Sequence, residues 1–107
     1  MEKLFGSRTR TRLLVALALL EESYVSELAR ILDTQRFSVQ QMVESLEDDG
    51  VLATRMIGNV RRVALDPRFY GFSEFKDLLL KLGLAMPDLD KAISSIRRRP
   101  RKRGKPL

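Results

Sequence analysis

The chain has 107 residues, 44% of them hydrophobic, which is enough for one domain with a modest core. It has no cysteine and no histidine, which excludes disulfides, thiol catalysis, Cys/His metal sites and any Ser-His or Cys-His relay. The net charge of +6 is unevenly placed: residues 97–105 (RRRPRKRGK) hold seven of the 20 Lys and Arg and no acid, leaving a body with 13 basic against 14 acidic residues.

In chain order, Ser7 is placed to cap a first helix over Arg8–Leu20. Leu13 to Leu20 is continuously apolar, so this helix is expected to be covered on more than one side, by the core or by a second protomer. At eight residues the run is too short to span a bilayer, and the start of the chain lacks a signal-peptide layout, so a cytoplasmic protein without membrane contact is expected. Glu21-Glu22-Ser23-Tyr24 reads as a polar turn. Val25, Leu28, Ala29 and Leu32 then recur at helical spacing, and so do Val39, Met42, Val43 and Leu46 after the break Asp33-Thr34-Gln35. Gly50 stops that third helix.

The period then changes. Val51–Ile57 and Val60–Leu65 read as two strands joined by Gly58-Asn59, a pair suited to a type II′ hairpin. That turn sets Ile57 opposite Val60, Met56 opposite Arg61, Arg55 opposite Arg62 and Thr54 opposite Val63. Asp66-Pro67 ends the second strand, and Ser73 is a candidate cap for a fourth helix striped by Phe75, Leu78, Leu79 and Leu82 and closed by Gly83 and Pro87. Asp88–Arg99 reads as a short fifth helix, followed by a mobile tail after Pro100. The organisation expected is one domain over residues 1–86, then a short helix and basic tail over 87–107.

Helix, helix, three-residue break, helix, glycine, two-strand hairpin and helix is the order of a winged helix-turn-helix, a mainly α fold with a small β-hairpin. The stretches that carry it are SELARIL, SVQQMVESLEDDGVL and RRVALDPRF. From LFGSRTRTRLLVALAL to FKDLLLKLG, about three-quarters of the chain, the sequence resembles the arsenical-repressor-type (ArsR-like) transcription regulators. The resemblance implies a sequence-specific regulator of double-stranded DNA, a repressor acting by occupancy, working as a homodimer. It departs from the family in having no cysteines in Tyr24–Ala29, so metal sensing is not implied, in carrying Asp33 where a small residue is usual, and in carrying Gln41 where a basic residue is common.

The polar side of the third helix supplies the candidate base readers. Gln35, Arg36, Ser38, Gln40 and Gln41 lie near its N-terminal end, the part of a recognition helix that meets base edges; glutamine pairs with adenine, serine with several bases and arginine with guanine or phosphate. Two placements are open for Phe37, outward against a thymine methyl or packed on the preceding turn. Glu44, Glu47, Asp48 and Asp49 repel phosphate, so the C-terminal half of the helix should point away from DNA. Arg55, Asn59, Arg61 and Arg62 on the wing, with Arg8 and Arg10 at the start of the first helix, are candidates for backbone contact. The Arg55–Arg62 pair is a like-charge neighbour pair that a bound phosphate would relieve. Arg97, Arg98, Arg99, Arg101, Lys102, Arg103 and Lys105 form a basic tail able to attract DNA or RNA. Leu13, Leu17, Leu20, Phe75, Leu78, Leu79 and Leu82 are the candidates for a dimer contact. No catalytic residue, cofactor or metal ligand is expected, because neither a phosphate-cradling glycine loop nor an activated nucleophile is present. Two alternatives stay open: an RNA- or ribosome-binding protein anchored by its tail, and a protein-interaction adaptor whose polar helix face meets no groove.

Overall fold

The computed structural model describes the backbone of residues 4–104 and the side chains of residues 4–97. Five helices and one antiparallel ribbon follow in the order α1 (Arg8–Leu20), α2 (Val25–Leu32), α3 (Arg36–Asp48), β1 (Leu52–Ile57), β2 (Val60–Leu65), α4 (Phe72–Gly83) and α5 (Pro87–Gly104). This is the mainly α, winged helix-turn-helix architecture read from the element order.

The helix ends follow from local chemistry. Ser7 caps α1 as expected, its Oγ accepting the Arg10 amide at 3.0 Å. Asp33 closes α2 in the left-handed conformation (φ 53°), with the Thr34 amide bonded to the Ala29 carbonyl. Aspartate tolerates this region better than most residues, so the turn forms without the usual small residue. Gly50 (φ 80°) ends α3 by a Schellman arrangement: its amide bonds to Glu47 O and that of Val51 to Leu46 O.

Two expectations about helix ends change. Ser73 is not a cap: α4 begins two residues earlier than that cap would place it, with Gly71 at the cap position, leaving Ser73 inside the first turn. Gly83 ends α4 as expected, as its last helical residue, and a Cβ there would sit 3.3 Å from Val15 Cγ1. Its small size lets α4 approach α1. The fifth helix is longer than Asp88–Arg99, because Pro87 serves as its first residue and Pro100 withdraws only one amide without ending it. Residues 105–107 of the expected mobile tail lie outside the described residues.

The ribbon has the register that the Gly58-Asn59 turn dictates, from Ile57↔Val60 to Leu52↔Leu65. Gly58 has φ 64° and Asn59 has no positive φ, the combination that separates a II′ turn from a I′ turn. A feature absent from the sequence reading is the bridge between Ser23 and Val63, with backbone bonds of 2.9 and 2.8 Å. The turn after α1 thereby docks onto β2.

The core sits where α1 meets α2, α4, α5 and β2. Leu13, Leu14, Val15, Ala16, Leu17 and Ala18 are buried on all sides of α1 with Leu28, Val39, Val43, Leu52, Val63, Leu79 and Leu89. The near-continuous apolar run is thus explained by the monomer. This corrects the interface assigned to Leu13, Leu17, Leu79 and Leu82: all four are buried within one copy, the first three with no exposed surface and Leu82 with 8%. Phe75 is edge-on to Phe5 (centroids 5.5 Å) and tilted against Phe69 (5.3 Å), so it anchors the N-terminal segment instead. Leu20 is half-buried, and Leu78 is exposed on α4. Met86 and Leu89 belong to the same core and Ala92, Ile93 and Ile96 pack against it, so the described first part of α5 packs as part of one body.

Arg97 stands at the far end of that packing. Its Nε and Nη2 donate to the two carboxylate oxygens of Glu27 at 2.8 and 2.9 Å, and Nη2 also donates to the Glu22 carbonyl at 2.8 Å. The contact ties α5 to α2. Counted with the basic tail in the sequence, Arg97 is therefore held in a structural ion pair. Replacing it with alanine is expected to lower stability by about 1–2 kcal/mol, the cost of lost charged hydrogen bonds discounted for partial exposure, and lysine should not restore the fork geometry. Urea unfolding of the three proteins checks this.

Glu27 also has a pH signature. Burial alone would push its carboxyl up, but hydrogen bonds from Arg97 and Ser23, with the Arg97 charge, outweigh that and hold it below 4.5. A folded-state pKa below the unfolded one gives stability that is complete above 4.5 and is lost as pH falls through the lower folded value. Unfolding midpoints between neutral and acid pH should fall less steeply for Glu27→Gln than for the parent.

Candidate nucleic-acid interface

The outward side of α3 is set by its inward side. Val39, Val43 and Leu46 are buried, which leaves Arg36, Phe37, Gln40, Gln41 and Glu44 exposed and Ser38 half-exposed. Gln35 is exposed one residue before the helix. Gln40 carries one weak internal bond, from Nε2 to Glu44 Oε2 at 3.3 Å. Phe37 takes the outward placement, at 68% exposure; no apolar pocket on the preceding turn receives it.

Three adjoining grooves show what surrounds this face. One is lined by Ser26, Arg30, Asp33, Thr34, Gln35 and Arg36. A second shares Ser26 and Arg36 with it and runs past Tyr24, Val25 and Gln40 to Asn59, Val60 and Arg61 at the turn of the ribbon. A third shares Thr34 with the first and joins Thr9 and Arg10 of α1 to Ser38, Gln41 and Met42. The start of α1, the helix-turn-helix and the ribbon therefore border one continuous polar surface. It contains all five candidate base readers, together with Arg10, Asn59 and Arg61. Arg8, also exposed, stands two residues before Arg10.

Sequence reasoning missed Ser26 and Arg30 in this surface. They lie four residues apart on α2, opposite the buried Leu28 and Ile31, and that helical spacing was the available signal.

The ribbon's arginines differ from the expectation. Arg55 and Arg62 are cross-strand neighbours, but their repulsion is relieved by the protein itself. Glu22 lies 3.0 Å from Arg55 Nη2 and 3.6 Å from Arg62 Nε. The Arg55 hydrogen bond, aided by both positive charges, holds the Glu22 carboxyl below its usual range. Arg62 further sits over the Tyr24 ring, 5.3 Å from its centroid. Arg61 points to the opposite face, where Nη2 meets Glu47 Oε1 at 3.1 Å while Thr54 Oγ1 donates to Glu47 Oε2 at 2.7 Å. One of the acids at the end of α3 is thus turned to the ribbon. At the start of α1, Arg12 is paired with Asp88 at 2.9 Å. The side chains of Arg98, Arg99, Arg101, Lys102, Arg103 and Lys105 lie outside the described residues.

Among the described residues no group of three or more His, Cys, Asp or Glu is arranged to hold a metal ion, and no helix is long and apolar enough to cross a membrane.

No protein-family model matches the chain, and no curated protein matches it. Solved structures do. The AntR antimony-specific transcriptional repressor superposes with a TM-score of 0.62 at 25% identity, over 83% of this chain and 75% of that one. A MarR family transcriptional regulator from Silicibacter pomeroyi DSS-3 superposes with a TM-score of 0.59 at 17% identity, over 89% of this chain and 65% of that one. Most of the architecture described above therefore superposes on solved transcriptional regulators, and the fold of this chain is that of the winged-helix regulators.

Proposed function

We propose that the protein is a sequence-specific, double-stranded DNA-binding transcription regulator of the arsenical-repressor type, acting as a homodimeric repressor by occupying its operator. The observation that carries this reading is the continuous polar surface: Gln35, Arg36, Ser38, Gln40 and Gln41 face outward and border Arg10 on one side and Asn59 and Arg61 on the other. Glutamine and serine side chains at the start of a helix read base edges in the major groove, while the flanking cations and the ribbon hold the phosphate backbone. Arg30 and Ser26 extend the backbone-holding part.

One such helix covers only a few base pairs. Two copies related by a two-fold axis would place two helices on half-sites about 10 base pairs apart. With Leu13, Leu17, Leu79 and Leu82 inside the monomer, the large apolar side chains left exposed on or beside α1 and α4 among the described residues include Leu4, Leu19, Tyr70, Leu78 and Leu84. The antimony specificity of AntR does not transfer, because the chain has no thiol to bind a soft ion.

Selection of bound fragments from a random duplex pool at about 100 mM salt tests the proposal. The expected result is one enriched motif with two-fold symmetry. Enrichment of no motif, or structured RNA competing as well as the selected duplex, would overturn it in favour of a tail-anchored RNA binder.

A further inference from the structure

Each arginine of the ribbon has a carboxylate of its own chain within ion-pair distance. Arg55 and Arg62 share Glu22 on the outer face, and Arg61 has Glu47 on the face toward α3. Both carboxylates come from outside the ribbon, Glu22 from the turn between α1 and α2 and Glu47 from the last turn of α3. They are positioned, not incidental: Glu47 is also fixed by Thr54, and Glu22 lies next to Ser23, which is bridged to β2.

Resting on the DNA-binding reading above, we infer that Glu22 and Glu47 restrain the ribbon's sequence-independent attraction to DNA: a phosphate must displace a carboxylate before it can hold Arg55, Arg61 or Arg62. Binding to arbitrary sequence is almost wholly a matter of phosphate neutralisation and counter-ion release. An arginine already neutralised by its own chain adds little to either. The pairs are partly exposed, with side-chain exposures of 41% for Arg61 and 33% for Glu47, so each is weak enough for a well-placed phosphate to replace. Two of the ribbon's three positive charges are held back in this way from random encounters and remain accessible to a docked duplex. This accounts for one of the acids at the end of α3, Glu47, beside a surface that otherwise suits DNA. Arg10 and Arg36 lie outside this restraint: neither is within ion-pair distance of Glu22 or Glu47.

The test is a titration of a labelled duplex of random sequence by the full chain, at several salt concentrations. Glu47→Gln should tighten binding roughly two- to fivefold and steepen the slope of log affinity against log salt by about 0.9, one additional phosphate. The charge-matched control Asp48→Asn should do clearly less. In an Arg61→Ala background the gain from Glu47→Gln should shrink to that of the control. Glutamine keeps an acceptor for Thr54, and thermal melting should show Glu47→Gln no more stable than the parent, so tighter binding cannot come from a firmer fold. Glu22→Gln, paired with Arg55→Ala, repeats the cycle on the outer face. Equal gains from Glu47→Gln and Asp48→Asn, or a gain unchanged without Arg61, would overturn the inference while leaving the DNA reading intact. Failure of the parent chain to bind the duplex even at low salt would overturn both.

Discussion

Replacing Leu17 with alanine should destabilise the folded protein by about 2–5 kcal/mol, the range for truncating a leucine in a closed core. Leu17 has 0% exposure and belongs to the cluster that joins α1 to its neighbours. A loss of this size is a large fraction of the stability of a domain of about 100 residues. The effect should be the same at low and high protein concentration, because every neighbour of Leu17 is in the same chain. A loss that grows on dilution would instead place Leu17 between two copies, since association couples stability to concentration. The experiment therefore separates the monomer-core reading of α1 from the interface that its apolar run suggests. Leu78→Ala on exposed α4 should cost the monomer much less.

The second large effect concerns recognition. Gln41→Ala should remove about 1–3 kcal/mol of discrimination at one base position, the worth of a bidentate contact, and leave binding at the other positions unchanged. Gln40→Ala should do the same at a different position. Arg61→Ala should weaken binding to all the single-base operator variants alike. Arg62→Ala is expected to act partly through the fold, since Arg62 packs over Tyr24 and reaches Glu22. Affinities of each variant for a panel of single-base operator variants decide the matter. If Gln41→Ala and Arg61→Ala change the panel in the same uniform way, the division between reading helix and ribbon is wrong.

The local parts of this structure were legible because their causes are local. Val39, Val43 and Leu46 at helical spacing set which side of α3 faces out, and with it the placement of Gln40 and Gln41. Gly58-Asn59 fixed the ribbon's register residue by residue, because a two-residue turn leaves one pairing. What the sequence hid depends on tertiary neighbours. A leucine's periodicity says that it is covered and not by what, so Leu13, Leu17, Leu79 and Leu82 read equally as core or interface. Arg97 looked like the first residue of a cationic tail, because its partner Glu27 is 70 positions away in the chain. Glu22 reads as part of a polar turn and Glu47 as an acid that repels phosphate, because only the closed fold brings them to the ribbon. The Ser23–Val63 bridge has no local signature beyond a serine in a polar turn.

The proposed DNA recognition rests on one surface formed by three separate parts of the chain. Backbone amide shifts of the isotopically labelled protein, followed during titration with a selected duplex, test it most directly. The predicted result is a contiguous set of perturbed amides at Arg10, Ser26, Arg30, Gln35–Gln41 and Asn59–Arg61, with α4 unmoved. Perturbations confined to α4 or to the end of α5, with Gln40, Gln41 and Asn59 unchanged, would contradict it.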